Sequence, residues 1–182
     1  MKLTSMILAA AAAAGFAVLT GCDSTPSLLS LDPVATEQDT KGDATLIGTW
    51  EGTDDKGTLC VIRNGDKSGY EITLLSGGSP TGFRAQLFLV KDAEFLDVAP
   101  SDDNDFRAPG HAVARIWPGI GTLRWAFLDS DWLKQQAAQL ATHTADGKML
   151  LLSPGAAVRA FIAANGSNDQ AYGKVANWQK VQ

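Results

Sequence analysis

The sequence predicts a mainly β domain: an antiparallel meander of about eight strands closing into a barrel or a strongly curved sheet, with two helices in its C-terminal half. Three observations carry this expectation. From residue 46 onward, short runs place apolar residues at every second position, the period of a half-buried strand. Clusters of Gly, Asn, Asp, Ser and Pro separate these runs at hairpin spacing. Two later segments switch to apolar spacings of three and four residues, which is the helical period.

Leu46–Thr53 reads as the first strand. Asp54-Asp55-Lys56-Gly57 then forms a turn in which Gly supplies positive φ. Gly57–Arg63 is the second strand, and Asn64-Gly65-Asp66-Lys67 returns the chain into Ser68–Leu75, where Tyr70, Ile72 and Leu74 share a face. After the loop Ser76–Pro80, Gly82–Val90 places Phe83, Ala85, Leu87 and Leu89 on one side. Glu94–Ala99 is a fifth strand, ended by Pro100. The polar run Ser101–Asp105 leads to His111–Trp117, and Pro118-Gly119-Ile120-Gly121 turns into Thr122–Leu128. In that strand Leu123, Trp125 and Phe127 alternate with polar positions. Lys148–Leu152 is expected as the last strand.

The first helix runs over Ser130–Leu140, with Asp129 or Ser130 as cap and Trp132, Leu133, Ala137 and Leu140 as its apolar stripe. The second is expected to start at Ser153 as N-cap with Pro154 at the first helical position. Val158, Phe161, Ile162 and Asn165 mark one face, and Gly166 ends it.

The chain has 182 residues, a net charge of −5 and 45% hydrophobic residues, which suits one globular core. Its acidic balance lacks the basic footprint that nucleic acid requires. Lys2 precedes an apolar run from Met6 to Leu19, the pattern of a secretory signal. That run is short for a bilayer span, which needs about 20 residues.

At its end stands Leu19-Thr20-Gly21-Cys22. The segment resembles a bacterial lipoprotein precursor, and these four residues match all four positions of the lipobox. The resemblance implies cleavage of residues 1–21 before Cys22 and acylation of Cys22, hence palmitate-type anchoring in the cell envelope facing the periplasm. Several acyl chains together hold a protein stably on a membrane. Asp23 resembles the inner-membrane retention signal of enteric bacteria, a rule other lineages do not follow, so inner and outer membranes both stay open. Residues 22–43, rich in small and polar groups, read as a lipidated N-terminus and flexible tether, and 44–182 as the folded domain.

Gly48-Thr49-Trp50 opens the first strand and resembles the Gly-x-Trp signature of lipocalins and other calycins. The resemblance implies a lipocalin-like barrel in which Trp50 closes one end of the core. Lipocalins usually pair that Trp with an Arg near the last strand; Lys148 and Arg159 are the loose candidates here, and a helix before the final strand departs from the family. A second likeness covers more of the domain. Phe95-Leu96-Asp97-Val98-x-Pro100, Pro109-x-His111 and Leu128-Asp129-Ser130-Asp131-Trp132-Leu133 resemble a group of bacterial proteins with this motif order, which implies a shared fold and no particular activity.

Few residues suggest chemistry. His111 and His143 match no zinc spacing, and no metal or cofactor is expected. His111 reads as a hydrogen-bonded structural group. Asp102, Asp103, Asn104 and Asp105 lack a calcium-loop pattern. Asp129 and Asp131 fit a helix N-terminus better than an acid–base pair. With Cys22 modified, Cys60 is the remaining cysteine and reads as a small buried hydrophobe. The unusual supply is aromatic: Trp50, Trp117 and Trp125, with Trp132 and Trp178, can line a ligand cavity or fill a core. The expected function is a non-catalytic, lipid-anchored envelope protein binding a small apolar ligand. The alternatives are a structural or interaction lipoprotein with a filled core and a protein partner, and an enzyme.

Overall fold

A computed structural model describes residues 28–101, 110–145 and 148–181. The signal motif with Cys22 and Asp23, and the acidic run Asp102–Asp105, lie outside the described residues. The chain is mainly β, an eight-stranded closed antiparallel barrel with two α-helices in its C-terminal half.

A short strand, β1 (Leu28–Ser30), precedes the barrel. The barrel begins with β2 (Gly48–Gly52) and β3 (Leu59–Asn64). It continues through β4 (Tyr70–Ser76), β5 (Ser79–Val90), β6 (Ala93–Pro100), β7 (Ala112–Gly119) and β8 (Thr122–Phe127). Turns bend where the sequence supplies the backbone for it: Gly57 has φ 96° and Gly121 φ 67°. The helix α1 (Ser130–Gln136) ends in a 3₁₀ turn over Ala137–Gln139. Then come β9 (Thr142–Ala145), β10 (Lys148–Leu151), α2 (Gly155–Asn165) and β11 (Ala176–Lys180).

The closing strand differs from the expected one. Lys148–Leu151 pairs in parallel with β1 and antiparallel with β9, forming a separate three-stranded sheet. The barrel is closed instead by β11, which pairs with β8 through Trp178↔Leu123 and with β2 through Lys180↔Trp50. The apolar pattern of Lys148–Leu152 identifies a strand and says nothing of its partner. β11 carries only Ala176 and Trp178 as buried alternating positions.

Two apolar cores result. Inward-facing residues such as Ile62, Leu74, Phe83, Leu96 and Leu123 line the lumen. On the outside, Phe88, Phe95, Val113 and Ala126 of the barrel wall pack against Leu133 of α1, Val158, Phe161 and Ile162 of α2, and Met149 and Leu151 of β10. This explains the second half of β5. Leu87 faces the lumen, Phe88 and Val90 face the outer core, and Leu89 is 38% exposed. A strand buried on both faces loses the simple alternation expected over Phe83–Leu89.

Residues 28–43 were expected within the tether, yet from Leu28 onward the chain is docked. Asp97 Oδ2 accepts the backbone N–H groups of Val34 (2.7 Å) and Ala35 (2.9 Å). Val34 is 1% exposed. Arg159 donates to Val34 O and pairs with Asp39 at 2.6 Å. Lys41 N donates to Leu87 O, and Lys41 pairs with Glu94. This strap covers the stretch of β5 that β4 leaves unpaired after Ala85. Its polar composition hides the role, because the ties are backbone groups and single charges.

The helix ends are also specific. Asp129 Oδ1 accepts from the N–H groups of Asp131 (3.0 Å) and Trp132 (2.8 Å), so Asp129 is the cap of α1. Ser153 does not cap α2; its Oγ accepts from Ala141 N at 2.8 Å, and Pro154 holds the cap position. Gly166 ends α2 with φ −67°, so its need is space: a Cβ would lie 2.9 Å from Phe95 Cζ.

Candidate functional site: an apolar cavity in the barrel lumen

One end of the barrel is plugged. A 3₁₀ turn over Ala44–Leu46 precedes β2 and lays Leu46 across the lumen. The indole of Trp50, 2% exposed, donates from Nε1 to Leu46 O at 2.8 Å. Lys180, on the closing strand, places Nζ 5.2 Å from the Trp50 ring centre and donates to Thr45 O. The cation beside Trp50 is therefore Lys180, while Arg159 lies against Phe88 and the strap. Tyr70 and Leu87 complete this end, with the Tyr70 hydroxyl donating to Asp43 O and accepting from Asp43 N. Burial raises the Tyr70 phenol above its ordinary range.

The other end is not filled. Between the plug and the mouth lies a partly open cavity of about 90 Å³. Cys60, Leu74 and Phe83 form one wall, and Val98, Trp125, Phe127 and Trp178 the facing one. Part of the space exists because one lining position carries little bulk: Ala114, opposite Phe127. The aromatic wall is preorganised. Trp125 meets Phe127 edge-on at 5.2 Å and Trp178 at 6.5 Å. Leu29 of β1 and Leu150 of β10 join this apolar surface from the side sheet, beside the start of β7 where Ser30 bridges to His111.

No lining side chain bears a charge. The Cys60 thiol is the one ionisable group in the wall, and burial pushes it up to about 12. It stays protonated at neutral pH and acts as a small apolar surface. The site offers dispersion contacts and exclusion of water. It offers no cation to hold a carboxylate or phosphate.

The three tryptophans singled out in the sequence occupy three environments. Trp50 belongs to the plug, and Trp125 lines the cavity. Trp117 points outward, edge-on to Tyr172 at 5.6 Å, with the Arg115 guanidinium 4.7 Å and the Arg124 guanidinium 5.4 Å from its ring centre. Tyr172 donates to Gly166 O at 2.5 Å, and its burial lifts the phenol to about 12. Alternation along β7 separates Trp117 from the inward Ile116 and was readable from the sequence.

Asp97 and His111, adjacent in one of the motif resemblances, meet at 2.8 Å through Oδ1 and Nδ1. Their surroundings are structural: the same carboxylate holds the strap, and His111 holds β1. His143 is exposed on β9. Among the described residues no group of three or more His, Cys, Asp or Glu is arranged to hold a metal ion. Asp131 pairs with Lys134 at the surface.

Searches for similarity place nothing beside this geometry: no protein family, curated protein or solved structure matches the chain.

Proposed function

We propose that this is a lipid-anchored cell-envelope protein, held on the membrane through Cys22, whose barrel binds a small uncharged apolar ligand. The observation that carries the binding reading is the lumen cavity of about 90 Å³, walled by apolar and aromatic side chains. A cavity lined by Leu, Ile and Phe stays dry, and a closed one of about 150 Å³ binds benzene; this one is smaller but open on one side, so a ligand need not fit wholly inside it. The partly open mouth here gives a molecule of that kind a way in. The anchor reading rests on Leu19-Thr20-Gly21-Cys22 behind the apolar run. A lipocalin-like ancestry is supported by Gly48-Thr49-Trp50 on the first barrel strand and by the Trp50–Lys180 pair at the plugged end.

Two experiments test the reading. The chain made without residues 1–21 and with Cys22→Ser is titrated with benzene and followed by NMR of the indole N–H groups. Binding should shift Trp125 and Trp178 and leave Trp117 and Trp132 unmoved, and Ala114→Leu should abolish it by filling the space. Shifts spread over all five indoles, or none, contradict the cavity reading. In the producing bacterium, Cys22→Ser should leave a larger, unacylated precursor; normally sized, membrane-bound protein contradicts the anchor.

A further inference from the structure

We infer that the lumen cavity receives, in cis, the end of an acyl chain carried on Cys22, so that the protein shelters part of its own anchor. This rests on the reading above, that Cys22 is acylated and the lumen binds apolar matter. Position is the first support. The described chain begins at Leu28, in the side sheet that abuts the unplugged end of the barrel, and the next residue, Leu29, already belongs to the lumen's apolar surface. From Leu28 back to Cys22 is six residues, which span at most about 20 Å when extended. The point where the lipid is attached therefore lies within about 20 Å of Leu28, beside the mouth.

The second support is the chemistry of the wall. A phospholipid or free fatty acid held wholly in the lumen would bring in a phosphate or carboxylate, and either needs a positive partner inside a protein. Among the described residues the lining supplies none. A chain fixed to the polypeptide carries no such group, and its hydrocarbon end asks only for apolar contact. Leu29 and Leu150 of the side sheet belong to the same apolar cluster as the cavity lining. Tethering makes the event intramolecular, so a chain attached six residues away outcompetes free molecules at a high effective concentration. The volume suits the end of one chain, so the remaining acyl chains stay in the bilayer and keep the anchor.

The test uses the lipidated full-length mature protein. It is purified from cells fed a fatty acid brominated near its end and placed in vesicles of unlabelled phosphatidylcholine. Bromine quenches indole emission at close range, so Trp125 and Trp178 should dim. A Gly-Ser insert of about 20 residues after Asp23 should restore most of the emission, because effective concentration falls with tether length. Trp125→Phe combined with Trp178→Phe should remove the quenchable component. No quenching in the lipidated protein overturns the inference. Quenching seen only when the vesicle phospholipid carries the bromine also overturns it and makes bilayer lipid the occupant. Failure of the underlying reading shows elsewhere: in a mass spectrum lacking acyl groups on Cys22, or in the absence of benzene binding by the unlipidated chain.

Discussion

The two apolar cores of this molecule are built from the same residue types and end in different states. The outer core is packed shut. Phe88, Leu133, Leu151 and Val158 are fully buried there, Phe95 is 1% exposed, and charged or capped groups such as Asp97, Arg159 and Asp129 pin its edges. In the lumen, the large side chains that reach this level are Leu46, Trp50 and Leu87, all at the plugged end. Toward the mouth the lining includes the small side chain of Ala114, and space remains. Protein interiors are normally close-packed, and a void forfeits dispersion contacts on its lining. The comparison teaches that the outer core and the plug hold the fold, which leaves the mouth end of the lumen free to bind.

The largest expected effects belong to the packed side. Phe88→Ala or Phe161→Ala in the outer core, and Trp50→Ala in the plug, should each cost about 3–5 kcal/mol in chemical unfolding. A loss under about 1 kcal/mol at Trp50 would mean that the plug bears no load. Next comes the strap: Asp97→Ala leaves two buried N–H groups and His111 without their acceptor. It should cost about 1.5–3 kcal/mol and speed amide exchange at Val34 and Ala35. Enlarging a residue on either face of the wall sharpens the contrast. Ala126→Val, pushed into the packed outer core, should destabilise by about 1–3 kcal/mol, whereas Ala114→Val, pushed into the cavity, should cost less than about 1 kcal/mol and weaken benzene binding. Equal costs at the two sites would erase the distinction. The cap of α1 is smaller still: Asp129→Ala should cost about 0.5–2 kcal/mol, while Asp129→Asn stays near wild type.

Alkaline pH probes both regions through a buried acid in each, Cys60 in the lumen and Tyr172 in the outer core. In the unfolded chain the Cys60 thiol ionises near its ordinary value of 9.0, and the Tyr172 phenol near 10.0. Burial holds both protonated to about 12 in the folded protein. The unfolded state therefore sheds these protons first. Their contribution to stability is complete below about pH 9 and is lost as pH rises toward 12. Melting curves across that window should fall less steeply for Cys60→Ala, which acts on the lumen, and for Tyr172→Phe, which acts on the outer core. Unchanged slopes would place both groups in water.

The alternation in β2 to β8 made the barrel wall readable, because one face of each strand meets the lumen and a period of two survives. The same reasoning failed where burial is two-sided or depends on a distant partner. Phe88 and Val90 break the period of β5 because α2 and the strap cover the outside. Lys148–Leu151 is a strand by pattern, but its pairing with Leu28–Ser30 links positions 121 residues apart. Ala-Asn-Trp-Gln-Lys over 176–180 offers two buried side chains, too few to announce the strand that closes the barrel. Aromatic supply pointed toward the site, and Trp125 lines it. The cavity owes part of its space to what Ala114 lacks, and an absent side chain leaves no pattern in a sequence.

The central claim is that the mouth end of the lumen is an apolar cavity that excludes water. Crystals of the unlipidated chain pressurised with xenon address it most directly, because xenon enters dry apolar cavities and needs no polar partner. The account predicts a xenon site enclosed by Cys60, Phe83, Trp125 and Phe127, with no ordered water among them and none of the gas beside Trp50. Ordered water hydrogen-bonded within that space, or xenon bound only in the outer core, would contradict it.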